Sequence, residues 1–82
     1  MTREELKLAV LDALAEIAPE IAAAEVDPHR ALRDQFDLDS MDFLNFAIVL
    51  HKKLGVSIPE TDYARLATLD QCIEYLSRTK SA

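Results

Sequence analysis

The sequence predicts an all-α four-helix bundle, with three main helices, one short helix and a long loop before the second main helix. Three observations predict it. One glycine and three prolines in 82 residues leave too little turn chemistry for hairpins. Apolar residues recur at three- and four-residue spacing in three separate segments, the period of amphipathic helices. Half of the residues are hydrophobic but only 6% are aromatic, so the core is built mainly from Leu, Ile, Val and Ala. A chain of this length has room for one modest core and no deep substrate cleft, and residues 1–82 read as a single domain.

The elements follow in order. Thr2-Arg3-Glu4-Glu5 is a capping box, in which the Thr2 side chain caps and Glu5 reaches back to the cap residue's N–H. The helix it opens carries Leu6, Val10, Leu14 and Ile17 on one arc, with Leu11 and Ala13 beside it, and Pro19 ends it. Glu20 to Val26 can add one more helical turn. Asp27-Pro28 pairs a cap with proline at a first helical position, so a short helix is expected there. Leu32, Phe36 and Leu38 are the anchors that pin this long connection.

Asp39 is a good N-cap for a helix over Ser40 to Leu54, which Gly55 terminates. At ~100° per residue, Phe43, Phe46, Ala47, Leu50 and Leu54 share the core arc. Met41, Leu44 and Ile48 form a second apolar band on the other side of Ser40, more than one core face needs, and this favours exposure toward a partner. Val56-Ser57-Ile58-Pro59 is extended. Glu60 to Leu66 makes one or two helical turns with Tyr63 and Leu66 inward. Thr68-Leu69-Asp70-Gln71 is a second capping box, opening a last helix with Leu69, Cys72, Ile73 and Leu76 on one face. Residues 77–82 are polar and are expected to fray.

Composition bounds the function. The net charge of −6 is uneven: residues 1–42 hold 11 acids and 4 bases, whereas residues 43–82 hold 4 and 5. An acidic surface opposes nucleic-acid binding, which needs Lys and Arg against phosphates, and favours basic protein partners. No export signal or apolar stretch long enough to span a bilayer is evident, so a cytoplasmic monomer without membrane insertion is expected. Cys72, the single cysteine, lies in an apolar-periodic segment and reads as a packed thiol.

Ser40 stands out, a hydroxyl at a helix N-terminus between Asp39 and Asp42, with Asp37 close by. Catalysis is a poor fit. A serine triad needs an oriented histidine, and His51 lies about 16 Å away along the helix at ~1.5 Å per residue. Asp37, Asp39 and Asp42 lack the glycine and terminal glutamate of a calcium loop. One glycine excludes a glycine-rich phosphate loop, and His29 and His51 have no metal-ligand spacing. Taken alone, Asp39-Ser40 reads equally well as a plain helix cap.

The stretch from Leu32 to Leu76 resembles the acyl carrier protein family, including its peptidyl carrier domains. The resemblance rests on Asp39-Ser40-Met41-Asp42, Leu54-Gly55-Val56, Ile58-Pro59 and Thr68-Leu69; the helix from Thr2 fits the same plan. It implies a carrier that performs no catalysis itself. A phosphopantetheinyl transferase attaches 4′-phosphopantetheine, derived from coenzyme A, covalently to Ser40, and acyl groups ride on its thiol as thioesters. The expected partners are that transferase and acyl-loading, condensing or transfer enzymes, recognised through Asp37, Asp39, Met41, Asp42, Leu44 and Ile48. No catalytic or metal-binding residue is expected.

Departures from the family pattern accompany the match. Asp37 stands where glycine is frequent, Asn45 where glutamate is common, and His51, Lys52 and Lys53 where acids are often found. The expectation is a specialised lipid or polyketide-type pathway, with apolar contact through Met41, Leu44 and Ile48 carrying more of the recognition. Phe43 and Phe46 are core residues on the wheel, or else line or plug an acyl cavity. A peptidyl or aminoacyl carrier and an unmodified helical interaction module are the alternatives; a small hydrolase is a distant third.

Overall fold

The computed structural model describes residues 2–81. Thr2 opens α1 (Arg3–Ile17) through a reciprocal box: Thr2 Oγ1 accepts from the Glu5 N–H at 3.1 Å, and Glu5 Oε1 accepts from the Thr2 N–H at 2.9 Å. The bond from the Thr2 N–H, with a smaller contribution from the Thr2 side chain, holds the Glu5 carboxyl below the usual carboxylate range. Leu6, Val10, Ala13 and Leu14 are buried, with Leu11 and Ile17 half-buried beside them. The helix stops ahead of Pro19, because Ala18 precedes a proline and leaves the helical region.

The connection from α1 to the next long helix contains more structure than its sequence announces. Ala23–Glu25 is a 3₁₀ turn, and a short α2 spans Leu32–Phe36. The helix start expected at Asp27-Pro28 is not there. Asp27 Oδ1 accepts from the His29 N–H at 2.9 Å, and the Asp27 carbonyl accepts from the Arg30 N–H at 3.4 Å. Asp27 thus closes a side-chain turn two residues long in place of a helix cap. Leu32 and Leu38 are buried and Phe36 half-buried, so the three expected anchors do hold the loop. Polar staples reinforce them. Gln35 accepts from the Asp27 N–H at 2.9 Å and donates to the Asp27 and Arg30 carbonyls at 2.9 and 2.8 Å. Two bonds reach across the fold, from the Leu32 N–H to Ala67 O at 2.8 Å and from the Asp70 N–H to Pro28 O at 3.1 Å.

The second long helix, α3, spans Ser40–Leu54 and buries Phe43, Phe46, Ala47, Leu50 and Leu54, the arc that the period specifies. Gly55 caps it at φ 67°, a left-handed conformation that only glycine adopts without penalty. Lys52 and Lys53 sit in the last turn, complementing the negative end of the dipole, and His51 Nδ1 lies 2.9 Å from Val56 O. Glu60–Leu66 forms the expected helical turns, of the 3₁₀ kind, and Leu66 is buried from it.

The last helix, α4, spans Leu69–Ser81. The Gln71 N–H donates to Thr68 Oγ1 at 3.1 Å, the forward half of the expected box. Leu69, Cys72, Ile73 and Leu76 are buried. Burial pushes the Cys72 thiol up to about 12. The segment expected to fray from Ser77 is helical to Ser81; Ala82 lies outside the described residues. Helix α1 packs against both α3 and α4, the 3₁₀ segment packs on α4, and nineteen apolar side chains among the described residues make one continuous core. No helix among the described residues is long and apolar enough to cross a membrane.

Candidate functional site

Three residues separate α2 from α3, and each has a distinct task. Asp37 takes a left-handed conformation (φ 55°, ψ 42°) and caps α2, its N–H bonded to Arg33 O. It is the one non-glycine residue with positive φ among those described. The conformation explains why glycine suits this position. Leu38 turns inward and is buried, pegging the reversal to the core. Asp39 then caps α3. Its Oδ1 accepts from the Asp42 N–H at 2.8 Å, and Asp42 Oδ2 accepts from the Asp39 N–H at 3.3 Å. This is a capping box made by two aspartates, with both acids at the positive end of the helix dipole.

Ser40 therefore occupies the first position of α3, where the backbone N–H has no helical partner and the side chain is exposed. Its Oγ accepts from Arg33 Nη2 at 3.4 Å. The same guanidinium donates from Nε to Leu38 O at 3.4 Å and stands 5.9 Å from the centroid of the Phe43 ring. On the solvent side of α3, Met41, Leu44 and Ile48 are 64%, 36% and 39% exposed, so the second apolar band lies open. A groove of about 910 Å³ beside Ser40 is lined by Arg33, Met41, Phe43, Leu44 and Tyr63 among others. Behind it Phe43 contacts Phe46 and Tyr63 edge to face, with centroids 5.8 and 6.3 Å apart. Phe46 is fully buried and Phe43 nearly so. Both rings are core residues, and Phe43 also floors the groove.

The residues singled out in sequence thus meet around one turn. Asp37, Asp39, Ser40 and Asp42 lie at its rim, and Met41, Leu44 and Ile48 run away from it along α3. Neither histidine joins them: His29 pairs with Asp70 at 2.9 Å, and His51 is engaged at the far end of α3. Sequence reasoning missed Arg33. Its only signal was rarity, as one of four bases in the acidic first half of the chain.

The fold is a small helical bundle that presents the Ser40 hydroxyl at an exposed helix start. The family model described as "Phosphopantetheine attachment site" matches residues 9–76, and the chain belongs to this family of phosphopantetheine-binding carrier proteins. It is 39% identical over 72 residues to the acyl carrier protein of Thermobifida fusca (strain YX), covering 84% of this chain and 91% of that one. To the meromycolate extension acyl carrier protein of Mycolicibacterium smegmatis it is 32% identical over 72 residues, covering 84% and 73%. The fold is similar to that of an acyl carrier protein from Enterococcus faecalis, with a TM-score of 0.75 at 23% identity over 96% of this chain and 99% of the other. Family membership makes covalently attached 4′-phosphopantetheine the cofactor, and an exposed hydroxyl with a cation at 3.4 Å fits a phosphodiester.

Proposed function

We propose that Ser40 is the residue that carries 4′-phosphopantetheine, and that the protein holds acyl intermediates as thioesters for a specialised lipid or polyketide-type pathway. The observation that carries this reading is the exposed Ser40 hydroxyl on the first turn of α3, clear of the core. In the modification, Ser40 Oγ forms the bond to phosphorus as the phosphoanhydride of coenzyme A breaks and adenosine 3′,5′-bisphosphate leaves; the serine proton passes to a base on the transferase, so the chain needs none of its own. The cofactor, once bound, supplies the terminal thiol. The chain's residues present it and are recognised.

Recognition divides between charge and apolar surface. Asp37, Asp39 and Asp42 meet basic residues of the transferase and of acyl-loading, condensing or transfer enzymes, and steer the encounter. Met41, Leu44 and Ile48 form the contact itself. The end of α3 is basic through Lys52 and Lys53, which disfavours partners built for a carrier acidic along its whole helix. Relatives that include meromycolate extension acyl carrier proteins support a specialised lipid pathway over a peptidyl one.

The test is intact mass. Incubated with coenzyme A and a broad-specificity phosphopantetheinyl transferase, the protein should gain one phosphopantetheine, and Ser40→Ala should gain none. An unchanged wild-type mass would instead mark a helical interaction module.

A further inference from the structure

We propose that Arg33 is the internal counter-cation of the attachment site, its guanidinium gripping the phosphodiester on Ser40 and holding the root of the arm on the groove side of α3. This rests on Ser40 being the modified residue. The guanidinium is already held on three sides, by Leu38 O, Ser40 Oγ and the Phe43 ring. It is also kept from the nearby acids. Asp34 is its chain neighbour and Asp37 lies one turn on, yet among the described residues Arg33 forms no ion pair. The left-handed turn at Asp37 ends α2 and removes the i,i+4 ridge on which the two would meet.

Charge at the site then decides where an anion goes. Among the residues lining the groove, Arg33 is the one cation, with Asp34 and Glu60 as the acids. Asp39 and Asp42 cap the same first turn of α3 that carries the serine. A phosphodiester bonded to Ser40 Oγ places its two non-bridging oxygens two bonds beyond an atom that Arg33 Nη2 already reaches at 3.4 Å. A planar guanidinium fork matches two phosphate oxygens, which an ammonium does not. Before modification the same contact is useful. Arg33 donates to a lone pair of Oγ, which leaves the hydroxyl hydrogen directed elsewhere, available to a partner's base.

Protein labelled with nitrogen-15 arginine is incubated with coenzyme A and transferase, checked by intact mass, and followed by nitrogen and phosphorus NMR. Modification should shift the Arg33 Nε–H resonance and slow its exchange by about two- to fivefold, the range an exposed ion pair allows, and high salt should reverse this. The phosphorus resonance should move in Arg33→Gln, with Arg33→Lys between the two. If the mass rises but Arg33 Nε–H does not respond, or the phosphorus resonance is the same in wild type and Arg33→Gln, the assignment of Arg33 is overturned and that of Ser40 stands. If the wild-type mass does not rise, the attachment reading falls and this inference with it.

Discussion

Asp37 offers the sharpest test of how the chain turns into α3. It holds φ 55° and ψ 42°, where an ordinary L-residue pays about 1–2 kcal/mol, aspartate and asparagine less, and glycine almost nothing. The side chain is exposed, so replacing it opens no cavity. Stability should therefore rank Gly at or above Asn and Asp, with Ala lowest. Part of glycine's advantage is offset by the greater freedom it gives the unfolded chain, about 0.4–1 kcal/mol. The Asp37→Gly and Asp37→Ala proteins should then differ by about 1 kcal/mol, or roughly 4–8 °C in Tm for a domain of this class. Thermal unfolding followed by far-ultraviolet circular dichroism measures it. The charge effect is separated by Asp37→Asn, whose difference from wild type should shrink as salt is raised. An alanine variant as stable as the glycine variant would refute the role assigned to the left-handed turn.

Two further outcomes are expected. Burial raises the Cys72 thiol from an ordinary 9.0 to about 12, so between those values the folded protein keeps a proton that the unfolded chain releases. Stability is thus full below about pH 9 and falls as pH rises toward 12, by about 1.4 kcal/mol per pH unit from this group; urea unfolding at alkaline pH should show the slope, reduced in Cys72→Ala. On the exposed band, Leu44→Ser and Ile48→Ser remove side chains that are only 36% and 39% exposed and should each cost about 1 kcal/mol of stability. If the band is the contact surface, at least one of them should lower a cognate partner's kcat/KM by about fivefold or more.

What could be seen in the sequence was what local chemistry determines. Both ends of α3 were legible because Asp39 and Asp42 close a box at one end and Gly55 takes the left-handed cap at the other. The same holds for the start of α1 at Thr2. Helix α2 was hidden for a physical reason. Its cap, Ala31, has no side-chain bond, and its first N–H is satisfied by Ala67, 35 positions further on. A five-residue helix held by a distant carbonyl has no periodic signature. Because α2 went unseen, so did Arg33, whose reach to Ser40 exists only once the chain has reversed through Asp37. The end of α4 was obscured differently. Its composition is polar, but Thr79 Oγ1 bonds Tyr75 O and Arg78 pairs with Glu74 one turn back, local contacts that support a helix without apolar residues.

The three acids at the site are unequal, and this bears on how docking can be measured. Asp39 and Asp42 each commit a carboxylate oxygen to the other's backbone N–H. Removing either one disturbs the start of α3 as well as the surface charge; loss of a cap alone costs about 1 kcal/mol. A docking defect in those variants would mix the two causes. Among the described residues Asp37 makes no side-chain hydrogen bond or ion pair, and asparagine keeps its backbone conformation accessible. Asp37→Asn is therefore the variant that isolates charge. If the acidic rim steers partners, this protein should associate with a cognate enzyme more slowly than wild type at low salt, and the two rates should converge as salt rises. The dissociation rate should stay close to wild type, because a rim charge acts on the encounter and the apolar band holds the complex. A change confined to dissociation would place Asp37 inside the contact surface and make the separation of steering from contact untenable.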